Sequence, residues 1–214
     1  MTDTPYDLTV LERPWLIGIT GFARAGKDSI AAALAKYGYE RRALADPLKQ
    51  MALDIDPTVW MPAGWTCPVM VNPVPEGGDA ANLSVLVATL GWENAKTIPD
   101  VRRFLQRLGT EGVRKHMGED FWVRTLLLGL DGTKRYVVPD VRFLNEAEAI
   151  RAHGGVVWRV VRPGLKAGGH ASEEEQTRIE ADLTVMNFGS LEDLAEQVSF
   201  AFQVPAPAQP PTWL

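Results

Sequence analysis

Residues 21–29 read Gly-Phe-Ala-Arg-Ala-Gly-Lys-Asp-Ser. Gly21, four further residues and then Gly26-Lys27 is the spacing of a phosphate-binding loop. Such a loop turns sharply, so that successive backbone N–H groups face an anion, and glycine accepts the dihedrals that this turn demands. Ala23, Arg24 and Ala25 complete the cradle. Lys27 adds a cation for the β- and γ-phosphates of a nucleoside triphosphate, and the helix that follows points its positive end at the same place. The position after the lysine is commonly Ser or Thr, whose hydroxyl helps to hold Mg²⁺; here it is Asp28, and the hydroxyl follows at Ser29. Ser29 is therefore the candidate magnesium ligand, directly or through water. Asp28 either orients a magnesium-bound water or is a first-turn carboxylate favoured by the helix dipole. The chemistry within reach is the binding and use of ATP·Mg²⁺.

The elements around the loop are those that the motif requires. An apolar run at 15–20 predicts a strand before it, and an Ala-rich stretch at 28–37 predicts a helix after it. A second short strand is expected at 41–44, followed by a helix from Asp46-Pro47 to about residue 53, with Asp46 as cap and Pro47 in the first turn. Residues 55–80 are rich in Pro and Gly, which predicts no long regular element; Trp60 and Trp65 there cover either a small core or a nucleotide base. Helical patterning returns at 80–90, 100–116 and 119–130. Strands are expected at 136–138, 156–161 and 183–186. Helices are expected at 144–153 and 190–202, the last opened by Ser190 and Asp193 as a capping box. The alternation of strands and helices predicts an α/β fold: a three-layer parallel sheet with helices on both faces.

Composition narrows the function classes. The chain has 214 residues, enough for one substantial domain. A formal net charge of −5 leaves no basic footprint for nucleic acid, so anionic substrates must be met by local arginines. The single cysteine, Cys67, excludes an intrachain disulfide and a cysteine metal cluster. The start of the chain lacks the pattern of a secretion signal, and no apolar stretch approaches membrane-span length. A cytoplasmic protein without membrane or nucleic-acid partners is expected, with a homodimer left open.

Five stretches together resemble the deoxynucleoside monophosphate kinases of phages and some bacteria. They are Gly26-Lys-Asp-Ser29; Ala43-Leu-Ala-Asp-Pro-Leu-Lys49; Arg103-Phe-Leu-Gln-Arg-Leu-Gly-Thr-Glu111 continuing to Gly118-Glu-Asp-Phe-Trp122; Val138-Pro-Asp-Val-Arg-Phe-Leu-Asn-Glu146; and His170-Ala-Ser-Glu173 with the ending 181–190. They span residues 16 to about 195 in the family's order. The resemblance implies a P-loop kinase fold with a lid at about 162–178 and an acceptor-side insertion at about 55–100. All of this lies in a single domain, 1–203, followed by a Pro-rich tail at 204–214. It implies the reaction ATP plus deoxynucleoside monophosphate, giving ADP and the diphosphate, with Mg²⁺. The ending around Asn187-Phe-Gly189 is also similar to dephospho-coenzyme A kinases, the nearest alternative. A nucleotide-dependent switch is the alternative from another class, weakened by the lack of an Asn-Lys-x-Asp motif.

Roles follow from what that reaction needs. Arg142 is assigned to the acceptor phosphate or the transition state, with a structural ion pair as the other reading. Asp140, after a buried strand, orients magnesium water or a neighbouring arginine, or else caps a helix. Asn145 and Glu146 are read as supports or helix-start residues. Arg159 or Arg162 is the candidate lid arginine, with Arg162 placed in the catalytic set. Asp46 and Lys49 stand by the acceptor, or Lys49 is simply a solvated lysine. Gln106 can read a base edge. Arg107 and Arg114, seven apart, share one helix face, as do Gln106 and Thr110, with solvated helix side chains as the other reading for each. Trp122 either stacks on the base or packs in the core. Asn187 borders the adenine of ATP, or sits in an ordinary turn.

Overall fold

The computed structural model describes residues 13–62, 72–73, 79–165 and 171–202. Trp65, Cys67, the side chain of Glu173, residues 166–170 with His170, and the tail from residue 203 lie outside the described residues. The chain divides into two compact units, Met1–Ala43 with Leu126–Leu214, and Leu44–Thr125 between them in sequence.

The order along the chain begins with β1 (Leu16–Thr20), α1 (Lys27–Ala35), β2 (Tyr39–Arg41) and α2 (Ala45–Ile55). Three short strands follow, β3 (Thr58–Met61), β4 (Asn72–Pro73) and β5 (Asp79–Asn82). Then come α3 (Leu83–Ala95), α4 (Pro99–Gln106), a π-helix (Arg107–Arg114), the single turn α5 (Lys115–Met117) and α6 (Phe121–Leu128). The chain ends with β6 (Arg135–Val138), α7 (Leu144–Ala152), β7 (Val156–Val161), α8 (Ala171–Arg178), β8 (Leu183–Met186) and α9 (Leu191–Ala201).

In the first unit five parallel strands lie in the order β2-β6-β1-β7-β8. β1 is central and buried along its whole length, which is why Leu-Ile-Gly-Ile-Thr is continuous rather than alternating. Ile17 and Ile19 face α1 and α9 through Ile30, Leu34, Leu194 and Val198. On the opposite face Gly18 lies under Ile150 of α7. This is the expected three-layer arrangement. The expected strand at 41–44 is instead β2 at Tyr39–Arg41. Ala43 and Leu44 are buried, but the chain already turns there to begin α2.

The second unit corrects several expectations. Leu44, not Asp46, is the N-cap of α2 and makes no side-chain cap bond; Asp46 sits in the first turn, where the helix dipole favours a carboxylate. Within 55–80, β3, β5 and β4 form an antiparallel sheet. The alternation in Thr-Val-Trp-Met buries Val59 and Met61 and leaves Trp60 43% exposed, with its backbone N–H donating to the Asp100 carboxylate. Four alternating residues among prolines are too short a signal to separate from loop. The helix expected at 80–90 does break at Gly91, where φ is 73°, although helical turns resume beyond it.

The largest departure is at 100–116, expected as one α-helix. Val101, Phe104, Leu105 and Leu108 meet the unit's core at α-helical spacing. The next buried side chain is Val113, five residues after Leu108. An α-helical face would require position 111 or 112, which are Glu and Gly. The chain meets the five-residue step by widening to a π-helix, in which Lys115 N donates to Thr110 O.

Candidate functional site

The phosphate loop occupies the C-terminal end of β1, where ligands of open α/β sheets bind. Gly26 caps α1 with φ of 106°, and a Cβ there would stand 2.5 Å from Asn187 Nδ2. No side chain fits. Lys27 Nζ donates to Gly21 O at 2.7 Å and Phe22 O at 2.9 Å, which holds the ammonium across the loop. Arg24 adopts φ of 63°, a left-handed conformation uncommon outside glycine. A cavity of about 290 Å³ opens beside the loop, lined among others by Arg24, Lys27, Ser29, Arg162, Asn187 and Leu191.

Asn187 is only 4% exposed. Its Nδ2 donates to Ala25 O at 2.8 Å and its backbone N–H to Val161 O at 2.7 Å. The turn between β8 and α9 is thus tied to the phosphate loop. Its Oδ1 is buried without a hydrogen-bond partner. Ser190 and Asp193 form the expected capping box at the start of α9.

Ser29 lines the cavity, and the exposed Asp28 carboxylate lies 3.3 Å from the Arg41 guanidinium. A hydroxyl and one carboxylate suit Mg²⁺, which takes few protein ligands and completes its octahedron with phosphate oxygens and water. Among the described residues no cluster of three or more His, Cys, Asp or Glu forms a self-sufficient metal site.

At the end of β6, Val141 N donates to Ile19 O at 3.2 Å, fixing the turn that carries Asp140 and Arg142 to the central strand. The buried Glu146 carboxylate accepts from Arg142 N at 2.8 Å and Phe143 N at 3.1 Å. Glu146 therefore starts α7 by satisfying open N–H groups, as the sequence reading proposed. The Arg142 side chain is exposed and Asp140 is half-buried.

The two candidate lid arginines separate. The Arg159 guanidinium donates to Gln176 O at 3.1 Å and to Ile179 O, so it clamps the C-terminal end of α8. Arg162 is exposed and lines the cavity beside the loop.

Residues 84–198 match the family model for deoxynucleotide monophosphate kinase, and this is just over half of the chain. The chain belongs to that family. The match begins well after the phosphate loop, so loop and match are independent observations. The deoxynucleotide monophosphate kinase of Enterobacteria phage T4 is 37% identical over 110 residues, 49% of this chain and 46% of that protein. The enzyme of the same name from Escherichia phage RB69 is 35% identical over 104 residues, 46% of this chain and 43% of that protein. The aligned stretch thus spans under half of each phage protein. A protein of Acanthamoeba polyphaga mimivirus, provisionally given the same name, is 25% identical over 211 residues, 86% of this chain and 93% of its own. A solved shikimate kinase from Aquifex aeolicus aligns at 11% identity and a TM-score of 0.44 over 88% of this chain and 96% of its own, too distant to carry an argument.

The second unit of this deoxynucleotide monophosphate kinase family member holds the residues read as acceptor-side other than Arg142. Lys49 Nζ is 3.9 Å from the Asp46 carboxylate and 5.9 Å from the Trp92 ring centre. Lys49 is therefore a paired, largely covered cation rather than a free solvated one. Gln106 and Thr110 are both exposed. Arg107 is exposed and 3.7 Å from Glu111, whereas Arg114 is half-buried. The expectation that Arg107 and Arg114 share a face fails, because π-helical turns are wider than α-helical ones and positions seven apart no longer align. Trp122 is 5% exposed, edge-on to Phe121 at 5.0 Å, with its indole N–H donating to Gly109 O at 3.1 Å. Sequence reasoning missed the bond from Asn187 to the phosphate loop, which crosses 162 residues, and the π-helix. The five-residue step from Leu108 to Val113, which contains Gly109 and Gly112, is the signal that would have found the π-helix.

Proposed function

We propose that this chain transfers the γ-phosphoryl group of ATP, with Mg²⁺, to a deoxynucleoside monophosphate, giving ADP and the deoxynucleoside diphosphate. The observation that carries the reading is the glycine-bracketed loop at the end of the central strand, with the Lys27 ammonium held by two loop carbonyls. That cation can exchange carbonyl oxygens for phosphate oxygens without moving far. Family membership supplies the acceptor class.

The acceptor is itself a phosphate monoester with a second pKa near ~6, so its attacking oxygen is already deprotonated at neutral pH. No general base is needed. The bond from that oxygen to the γ-phosphorus forms as the bridging bond to the β-phosphate breaks, and the protein's work is position and charge. Lys27 and the loop N–H groups hold the donor phosphates, and Ser29 holds Mg²⁺, with Asp28 acting through water. Mg²⁺ held there would supply positive charge to the donor phosphates. Arg142 and Arg162 meet negative charge in transit, and Asp140 orients them or magnesium water. Lys49 and Arg114 serve the acceptor phosphate, Asp46 orients Lys49, and Gln106 and Thr110 read base or sugar, whereas Arg107, paired with Glu111, does not share a face with Arg114. Asn187 borders the adenine of ATP. The reading includes a single kinase domain over 1–203, with its acceptor side at about 55–100 and its lid at about 162–178, acting on free nucleotides in the cytoplasm.

The test is ADP formation from ATP·Mg²⁺ with each deoxy- and ribonucleoside monophosphate, dephospho-coenzyme A and no acceptor. Turnover with one or more deoxynucleoside monophosphates is expected. Turnover with dephospho-coenzyme A alone, or ATP binding with no acceptor-dependent turnover, overturns the proposal.

A further inference from the structure

The π-helix at Arg107–Arg114 is eight residues long, whereas π-turns are usually single and frequent at functional sites. Such a stretch needs an anchor, because its open bonding is poorer than that of an α-helix. Two features of the structure supply one. Gly109 is buried, and a Cβ there would lie 3.1 Å from Leu48 Cδ2, so a side chain at that position would require Leu48 of α2 to shift. From the other side, the indole N–H of Trp122 donates to Gly109 O at 3.1 Å, a buried bond between positions thirteen apart. Between its ends the chain reverses at Gly118, where φ is 102°. The indole is packed against Phe121 and its one donor is engaged, which leaves neither face nor edge for a base.

We propose that Trp122 is a positioning residue for the acceptor: its N–H on Gly109 O fixes the π-helical turn that carries Thr110 and Arg114. This rests on the reading of those two residues as acceptor-side. The indole does not touch substrate. It acts by holding one carbonyl, and through it the placement of the residues that follow.

Trp122→Phe keeps an aromatic ring in the packing and removes only the donor. In the full chain, KM for the best deoxynucleoside monophosphate rises about tenfold, the size of one lost buried hydrogen bond, while KM for ATP·Mg²⁺ stays within twofold. Amide exchange at 109–115 accelerates in the same variant, a readout independent of catalysis. Gly109→Ala disturbs the turn from the Leu48 side and gives the same split between the two KM values. It also keeps the proposal testable if Trp122→Phe does not fold. Unchanged amide exchange in folded Trp122→Phe overturns the anchor. Faster exchange with an unchanged acceptor KM, or equal rises in both KM values, overturns the positioning role. If the wild-type chain turns over no deoxynucleoside monophosphate, the functional reading itself fails, whereas the exchange experiment still decides whether Trp122 anchors the π-helix.

Discussion

At the scale of single residues the phosphate loop makes two sharp demands. Gly26 must be glycine twice over, for its φ of 106° and for the Asn187 amide that occupies the place of a Cβ. Gly26→Ala is expected to lower stability by roughly 1–3 kcal/mol through left-handed strain alone. It also pushes the Asn187 amide off Ala25 O. Thermal melts and ATP titration of the variant check this, and a Tm within a degree of wild type contradicts it. Lys27 makes the opposite demand. Its bonds to Gly21 O and Phe22 O are made within the loop, beside the cavity that Lys27 lines. Lys27→Ala is therefore expected to fold with a near-normal Tm and to lose about 10²–10³-fold in kcat, the cost of removing one preorganised donor to transition-state charge. Near-normal turnover in the purified variant removes Lys27 from the mechanism. Both residues were legible in the sequence because the motif is local. The Asn187 bond was not, because no local pattern reports a contact made across the whole unit.

At the scale of elements, legibility followed periodicity. β7 and β8 occupy the expected residues because β-branched runs bounded by turns have one simple solution. The capping box of α9 was equally readable. The π-helix was not read, since its one signal, the five-residue step from Leu108 to Val113, follows directly on an α-helical face from Val101 to Leu108. The junction between α2 and α3 was also hidden. Asp56, at φ of 44°, ends α2 and accepts from Ser84 N at 2.8 Å, Ser84 Oγ at 3.0 Å and Asn82 Nδ2 at 3.0 Å. These donors, the Ser84 backbone N–H first, hold its carboxyl below the usual carboxylate range. A carboxylate whose pKa is depressed on folding contributes stability that is present above its unfolded pKa of ~3.9 and is lost as pH falls through the folded value. Asp56→Asn keeps a side chain tolerant of the left-handed region but removes the charge. Its Tm is expected below wild type at pH 7, with the gap closing below pH ~4. A gap that stays constant from pH 7 to pH 3 refutes the assignment.

At the scale of the molecule, the proposed reaction would bring two polyanionic substrates to a chain of net charge −5. Attraction therefore has to come from local groups rather than a global field. The first unit supplies these at one end of its sheet: the phosphate loop, Lys27 and the exposed Arg162 beside one cavity. The fold class was readable from alternation alone, because parallel strands must be covered on both faces and the intervening helices do that. The division into two compact units was not, because it depends on contacts between residues distant in sequence. Binding to the native state alone raises stability by RT ln(1 + [L]/Kd), about 2.7 kcal/mol when ligand is a hundredfold above Kd. For a chain of this length that corresponds to a Tm increase of roughly 5–10 °C. ATP·Mg²⁺ at such a concentration is expected to produce that increase in wild type, and Lys27→Ala is expected to lose most of it. Inorganic phosphate at the same concentration should do far less, because it engages the loop but brings no base or ribose into the cavity beside Leu191 and Asn187. An equal shift with phosphate and with ATP would mean that the cavity contributes nothing to nucleotide binding and that the loop acts alone.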